Sequence, residues 1–325
     1  TLSVTAVNDA PKAVNDSGTV VEDTAKTFTA SDLLSNDTDA EGDALSVSSV
    51  AGATNGTAVL NADGSVTFTP FANYNGAAVF TYKVKDANGA VSTNSGTVNL
   101  TVTGVNDAPT AVNDAKTVAE DTTRTFTAPE LTGNDTDPDK VYGDVLSVNS
   151  VAAATNGTVV LNADGTVTFT PTANFNGTAS FTYTVKDTAG AVGATAATVT
   201  LTIYAINDLP TAVDDAGGTT VEDTAKTFTA ASLVGNDTDP DLVYGDTLKV
   251  HSVTGASNGT AVLNADGTVT FTPTANYNGA ASFTYKVKDA AGVTSANSAT
   301  VTLTVTGVND APTAVNDTGT VTEDT

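Results

Sequence analysis

One pentapeptide divides this chain. Val7-Asn8-Asp9-Ala10-Pro11 returns at Val105 to Pro109, at Ile206 to Pro210 with Leu209 in the alanine place, and at Val308 to Pro312. Its starts at positions 7, 105, 206 and 308 lie 98, 101 and 102 residues apart. Helical solenoids repeat every ~20–50 residues, so a period this long fits one small all-β domain per repeat. The chain reads as a string of beads, each with its own core. Residues 7–104, 105–205 and 206–307 are three full repeats. Residues 1–6 match the end of a repeat and are expected to be the last strand of a preceding one, and 308–325 to open a fourth, as in a segment of a longer array.

The copies differ where a folded β scaffold tolerates change, in loops. Repeat 1 has Asp39-Ala-Glu-Gly-Asp43; repeats 2 and 3 have longer versions, Asp137 to Asp144 and Asp239 to Asp246. Repeat 3 carries one more extra residue between Asp214 and Glu222. Elsewhere the copies nearly coincide: Gly56 to Ala78 and Gly259 to Ala281 differ only at Ser65/Thr268 and Phe71/Thr274.

Within repeat 1 the strand signals are short and alternating. Leu45 to Val50, Phe80-Tyr82-Val84 and Val98-Leu100-Val102 place apolar residues at every second position. Ala58 to Asn61 and Ser65 to Thr69 flank Ala62-Asp63-Gly64, a hairpin signal. Ala30 to Asn36 allows one helical turn with Leu33 inward. Phe28, Phe68, Phe80 and Tyr82 return as Phe126, Phe169, Phe181 and Tyr183 and are candidate core. About seven short strands per repeat predict an all-β fold: a tandem array of antiparallel Greek-key, Ig-like sandwiches in an elongated rod.

Charge narrows the partners. There are 37 acidic and 12 basic residues, a net charge of −25, and no cysteine. Nucleic acid and anionic membrane surfaces both call for Lys and Arg, so neither is an expected partner. Thiol and Cys-zinc chemistry are excluded. A cation is the natural counterpart.

The acids recur in four places per repeat. They are Glu22 (Glu120, Glu222); Asp37, Asp39 and Asp43 (Asp135, Asp137, Asp144; Asp237, Asp239, Asp246); Asp86 (Asp187, Asp289); and the pentapeptide pairs Asn8-Asp9, Asn106-Asp107, Asn207-Asp208 and Asn309-Asp310. Hard carboxylate and amide oxygens suit Ca²⁺, which takes six to eight oxygen ligands, better than Mg²⁺, which holds its waters. An EF-hand is ruled out, because Lys140 stands where the turn glycine belongs and Leu146 where the closing Glu belongs. Taken singly, each Asp-rich loop is equally an Asx-turn bonding its own backbone; their joint recurrence favours metal.

These residues resemble bacterial cadherin-like tandem repeats, found in giant surface proteins such as RTX adhesins, over all three repeats and both partial ones. Gly104-Val-Asn-Asp-Ala-Pro109 resembles the family's junction, one residue shorter and with Gly104 in place of an Asp. Glu22 resembles its first-strand Glu, Asp37 to Asp43 its DxDxGxN loop, and Asp86 its late-strand Asp. The resemblance implies that calcium is held between neighbouring repeats. The first junction would use Glu22, Asn106, Asp107, Asp135, Asp137, Asp144 and Asp187; the second would use Glu120, Asn207, Asp208, Asp237, Asp239, Asp246 and Asp289. It further implies a calcium-rigidified extender of a secreted or surface-anchored bacterial adhesin, extracellular, serving adhesion or biofilm formation.

Enzymatic function is not expected. His251 is the one histidine, and Ser48 and Asn149 occupy its place in the other repeats. Two other readings remain open: a repeat face binding a glycan or protein through the insertion bearing Tyr142 or Tyr244, and a spacer within a large secreted enzyme.

Overall fold

The computed structural model describes residues 2–5 and 7–323. Repeat 1 contains β1 (Asp16–Val21), β2 (Lys26–Phe28), α1 (Ala30–Leu34), β3 (Ser46–Thr54), β4 (Gly56–Leu60), β5 (Val66–Pro70), β6 (Gly76–Lys85) and β7 (Gly96–Thr103). One sheet runs β1-β7-β6-β3 and the other β2-β5-β4. Repeats 2 and 3 have the same seven strands in the same neighbour order. The expected all-β sandwich array is what forms.

The period-2 residues fill the space between the sheets. Phe28, Phe68, Phe80, Tyr82, Val84, Val98, Leu100 and Val102 form one buried cluster, with Leu33 entering from α1. Phe80 stacks on Phe68 at 6.0 Å and meets Phe28 at 5.9 Å. Phe126, Phe169, Phe181 and Tyr183 are buried in the same way. Gly56 is required by this packing: a Cβ there would lie 2.4 Å from the Phe68 ring. α1 begins with a capping box, in which Thr29 accepts from the Asp32 N–H and Asp32 accepts from the Thr29 N–H. His251 is exposed on the strand Lys249–Ser257.

One pairing departs from an all-antiparallel sandwich. β1 lies parallel to β7, in register from Asp16↔Val98 to Val21↔Thr103. Repeat 3 does the same, and its extra residue becomes a bulge between Ala216 and Gly218. Residues 2–5 form no strand, and Thr1 and Ala6 of that expected strand lie outside the described residues. Of the expected fourth repeat, residues 308–322 carry no helix or strand, and Asp324 and Thr325 lie outside the described residues.

A buried tyrosine positions the acidic loop of each repeat. The Tyr82 hydroxyl lies 2.8 Å from Leu33 O, 2.9 Å from Val14 O, 2.8 Å from Asp16 Oδ2 and 3.2 Å from Asp37 Oδ1. Burial, and then the Asp16 hydrogen bond, push this phenol far above its ordinary pKa, so it stays a donor. Helix end, entering chain and loop start are thereby tied at one point. Tyr183 and Tyr285 repeat the arrangement.

By contact density the chain forms two compact units. One is Thr1–Lys116, Thr123–Thr170 and Thr178–Leu201; the other is Thr117–Thr122, Pro171–Gly177 and Thr202–Thr325. The first junction between repeats falls inside the first unit and the second junction inside the second.

Candidate metal centres at the repeat junctions

The first junction gathers five stretches of chain. At the end of β1, the Glu22 N–H donates to Thr103 O, which continues the β1–β7 ladder into the linker. Glu22 is 2 % exposed, and its Oε1 accepts from the Val105 N–H. Next to it, Asp23 Oδ1 accepts from Asn73 N at 2.9 Å. From the linker, the Asp107 N–H donates to Asp139 Oδ2 at 2.7 Å, and Asn106 Nδ2 donates to Asp187 Oδ2 at 2.7 Å. From repeat 2, the insertion forms a short 3-10 helix, Pro138–Tyr142, on which Asp139 sits.

Two acidic clusters result. Glu22, Asp107 and Asp139 present oxygens within 4.8 Å of one another, as do Asp137, Asp139 and Asp144, so Asp139 belongs to both. The second junction repeats the first cluster as Glu120, Asp208 and Asp241, and has Asp239, Asp246 and Asp289 as its other. There the Asp208 N–H donates to Asp241 Oδ2 at 2.9 Å and Asn207 Nδ2 donates to Asp289 Oδ2 at 2.7 Å. In the orientation that satisfies its neighbours, the Asn174 amide nitrogen lies 3.1 Å from Asp121 Oδ2 and 3.2 Å from Asp208 Oδ2.

The electrostatics of these clusters are unfavourable without a counter-charge. Two unit charges this close repel by on the order of 3 kcal/mol at an effective dielectric of about 20. Burial, with Asp139 and Asp23 next in effect, holds the Asp107 carboxyl above its ordinary pKa. Burial raises Asp137 as well, with Asp144 and Asp139 adding to it, and raises Asp208 and Asp239 in the second junction. Asp144 is held low by Thr188, which donates to it. Among the described residues, the two ion pairs are Lys116–Asp114 at 3.4 Å and Arg124–Glu130 at 3.3 Å, and neither touches a junction acid.

The donor atoms left over fit a hard cation. Glu22 Oε2, Asp107 Oδ2, Asp137 Oδ2, Glu120 Oε2, Asp239 Oδ2 and Asp246 Oδ2 are buried and accept no hydrogen bond. Buried acceptors are normally satisfied, and a hard, oxygen-seeking cation would satisfy those gathered at each junction.

The other expected ligands are placed as follows. Asp37, Asp135 and Asp237 join no cluster; Asp135 Oδ1 accepts from the Val112 N–H at 2.7 Å and the Tyr183 hydroxyl at 2.9 Å, at the tyrosine node. Asp39 Oδ1 accepts from the Asp43 and Glu41 N–H groups, and Asp43 Oδ2 accepts from Asn88. Asp86 accepts from Asn8 Nδ2 at 2.8 Å, and the Asp9 N–H donates to Glu41 Oε2 at 3.2 Å. Glu222 Oε1 accepts from Val308 N at 2.6 Å, while Asn309 and Asp310 are exposed. Asp139 and Asp241 were absent from the expected ligands. Their signal was an acid at the same loop position in every repeat, with Glu41 in repeat 1.

Comparison with known proteins agrees with this architecture. The family described as Cadherin-like domain matches residues 7–103, 105–204 and 206–306. Among curated proteins none matches. Human CDH23 EC21-23 is 17% identical, with 92% of this chain and all of that one covered at a TM-score of 0.52. The Protocadherin Gamma B2 extracellular cadherin domains 1-5 are 15% identical, with 93% of this chain and 61% of that one covered at a TM-score of 0.50. The Protocadherin GammaB4 extracellular domain gives 15% identity and the same score, this chain covering 50% of it. At these identities the structures speak to fold alone. No helix among the described residues is long and apolar enough to cross a membrane. The chain belongs to the cadherin-like domain family, as three tandem repeats.

Proposed function

We propose that this chain is a calcium-rigidified extender from an extracellular adhesin, secreted or anchored at a bacterial surface, that carries a binding region away from the cell for adhesion or biofilm formation. One observation carries the reading: at each junction, buried carboxylate oxygens without partners come from both successive repeats, and at the first from the linker as well, within clusters of acids whose oxygens lie within 4.8 Å of one another.

Glu22, Asp107, Asp137, Asp139 and Asp144 would hold the ion or ions of the first junction, with Asn106 bound to Asp187 steering the linker. Glu120, Asp208, Asp239, Asp241, Asp246 and Asp289 would do so at the second, with Asn207 in the steering role. A bound divalent ion supplies positive charge that offsets the repulsion among these acids. The protein's own part is orientation. Glu22 and Glu120 are tied to linker N–H groups, and Asp139 and Asp241 accept from the next linker amide, so the ligands stand ready on backbone that is already hydrogen-bonded. Extracellular calcium modules bind at about 10⁻⁴ to 10⁻³ M, a range in which such sites fill outside a cell and stay empty inside it. Nothing in this reading asks the repeats to catalyse a reaction.

Small-angle scattering of this chain in millimolar Ca²⁺ and then in EDTA tests the proposal. A longer, stiffer particle in Ca²⁺ is expected, and Asp107→Asn should reduce the difference. Identical profiles would return the acids to turn chemistry and solubility.

A further inference from the structure

The insertion that separates repeats 2 and 3 from repeat 1 is a built arm. Asp137 caps its 3-10 helix, with Oδ1 accepting from the Asp139 N–H at 2.8 Å, and Pro138 supplies a preset φ for the first helical position. Gly143 closes the arm with φ 108°, a left-handed geometry that favours glycine, and its N–H donates to Asp139 O and Lys140 O. Repeat 3 builds the same arm with Asp239, Pro240 and Gly245, the last at φ 101°.

At the tip of the arm is a tyrosine that is about half exposed: Tyr142 at 47 % and Tyr244 at 49 %. Its hydroxyl, however, is engaged, and by the preceding repeat. The Asn75 N–H donates to Tyr142 Oη at 3.2 Å, and Tyr142 Oη donates to Asn73 O at 3.4 Å. The Asn176 N–H donates to Tyr244 Oη at 3.4 Å, and Tyr244 Oη donates to Asn174 O at 3.2 Å. The same two backbone groups of the same turn are used both times, although repeat 1 carries Tyr74 and repeat 2 Phe175 between them. That turn is itself held within its own repeat, because Asp23 and Asp121 accept from the Asn73 and Asn174 N–H groups at 2.9 and 2.8 Å. The arm and the surface it meets are thus each held by hydrogen bonds within their own repeat.

We propose that Tyr142 and Tyr244 are inter-repeat latches, each closing on the asparagine turn of the preceding repeat through a hydroxyl that both donates and accepts. The latch requires no cation. It stands beside the acidic clusters and resists bending when they are empty, and its argument does not depend on calcium binding. Repeat 1, whose loop Asp39–Asp43 contains no tyrosine, cannot present one to a repeat before it. The insertion therefore sets junction stiffness locally, one repeat at a time.

The test uses the full chain, which has no native cysteine. Spin labels at Thr101→Cys and Thr200→Cys, both exposed, report the distance distribution across the first junction in EDTA and in millimolar Ca²⁺. Losing two backbone hydrogen bonds should raise the bent fraction in EDTA about fivefold for Tyr142→Phe, visible as a broader distribution, while Tyr244→Phe leaves this junction unchanged. Exchange of the whole insertion for the repeat 1 loop should broaden it at least as much. If Tyr142→Phe and the loop exchange both match the parent protein in EDTA, the latch is overturned. A parent distribution that ignores Ca²⁺ would defeat the calcium reading and leave the latch standing if the variants still broaden.

Discussion

Two regions of each repeat make a useful contrast. The hairpin, residues 56–70 and 259–273, differs at one position between repeats 1 and 3. The acidic loops, 39–43 and 239–246, differ in length, in backbone form and in whether they contain a tyrosine. The constant region solves an internal problem: Gly56 and Gly259 make room for a phenylalanine ring, and one solution serves every copy. The variable region faces a neighbour, and its variation changes how repeats meet and leaves the sandwich alone. The packing of each repeat and the way repeats meet thereby fall to different residues.

That separation can be broken from either side. The largest effect belongs to the core. Phe181→Ala removes a side chain with 0 % exposure and should cost about 3–5 kcal/mol in urea unfolding. If the regions are independent, the Ca²⁺ response of the second junction survives it. Next is Asp107→Asn, whose sign should depend on the ion. In EDTA it relieves repulsion and should stabilise by on the order of 1 kcal/mol; in Ca²⁺ it should destabilise, because a ligand is lost. The same stability change in both buffers would remove Asp107 from the site.

Acidity should act more weakly, with the same reversal. Asp107, Asp137, Asp208 and Asp239 have folded pKa values above their ordinary ones. Between those two values the folded state binds more protons than the unfolded, so their contribution to stability falls as pH rises. In EDTA the melting temperature should climb as pH is lowered from neutrality toward the ordinary carboxylate range; in Ca²⁺ it should fall, because protons compete with the ion. The smallest thermodynamic effect is expected from Tyr142→Phe, within about 0.5 kcal/mol in bulk melting, as for other exposed positions, despite its effect on bending. A melting shift well beyond that would mean that the arm also supports the sandwich.

The fold was legible because alternation and hairpin signals are local. Phe80, Tyr82 and Val84 declare a buried face without reference to anything distant. The parallel β1–β7 pair was not legible, because a strand's alternation is identical for either direction and Asp16 meets Val98 only in the folded chain. At the junctions, the recurring Glu22 and the Asn106-Asp107 pair lie where two repeats meet, Glu22 and Asp107 in one acidic cluster. Asp135 looked equivalent to Asp137 by spacing, but Thr136 between them is pinned to Thr110 by two backbone hydrogen bonds of 2.7 and 3.0 Å, and Asp135 faces the tyrosine node. Tyr142 gave no sign of its contact, because its acceptors are backbone atoms with no side-chain signature.

The parallel pairing has a mechanical meaning. A repeat is entered through β1 and left through β7, and these strands lie side by side pointing the same way. Tension passed along the chain pulls β1 backward and β7 forward, so they must slide against one another. The six registered positions between them would then be loaded in shear together and could not open one after another like a zipper. Traction on such a string would meet its strongest grain in the beads so paired, repeats 1 and 3, leaving the junctions as the places where the chain would first yield.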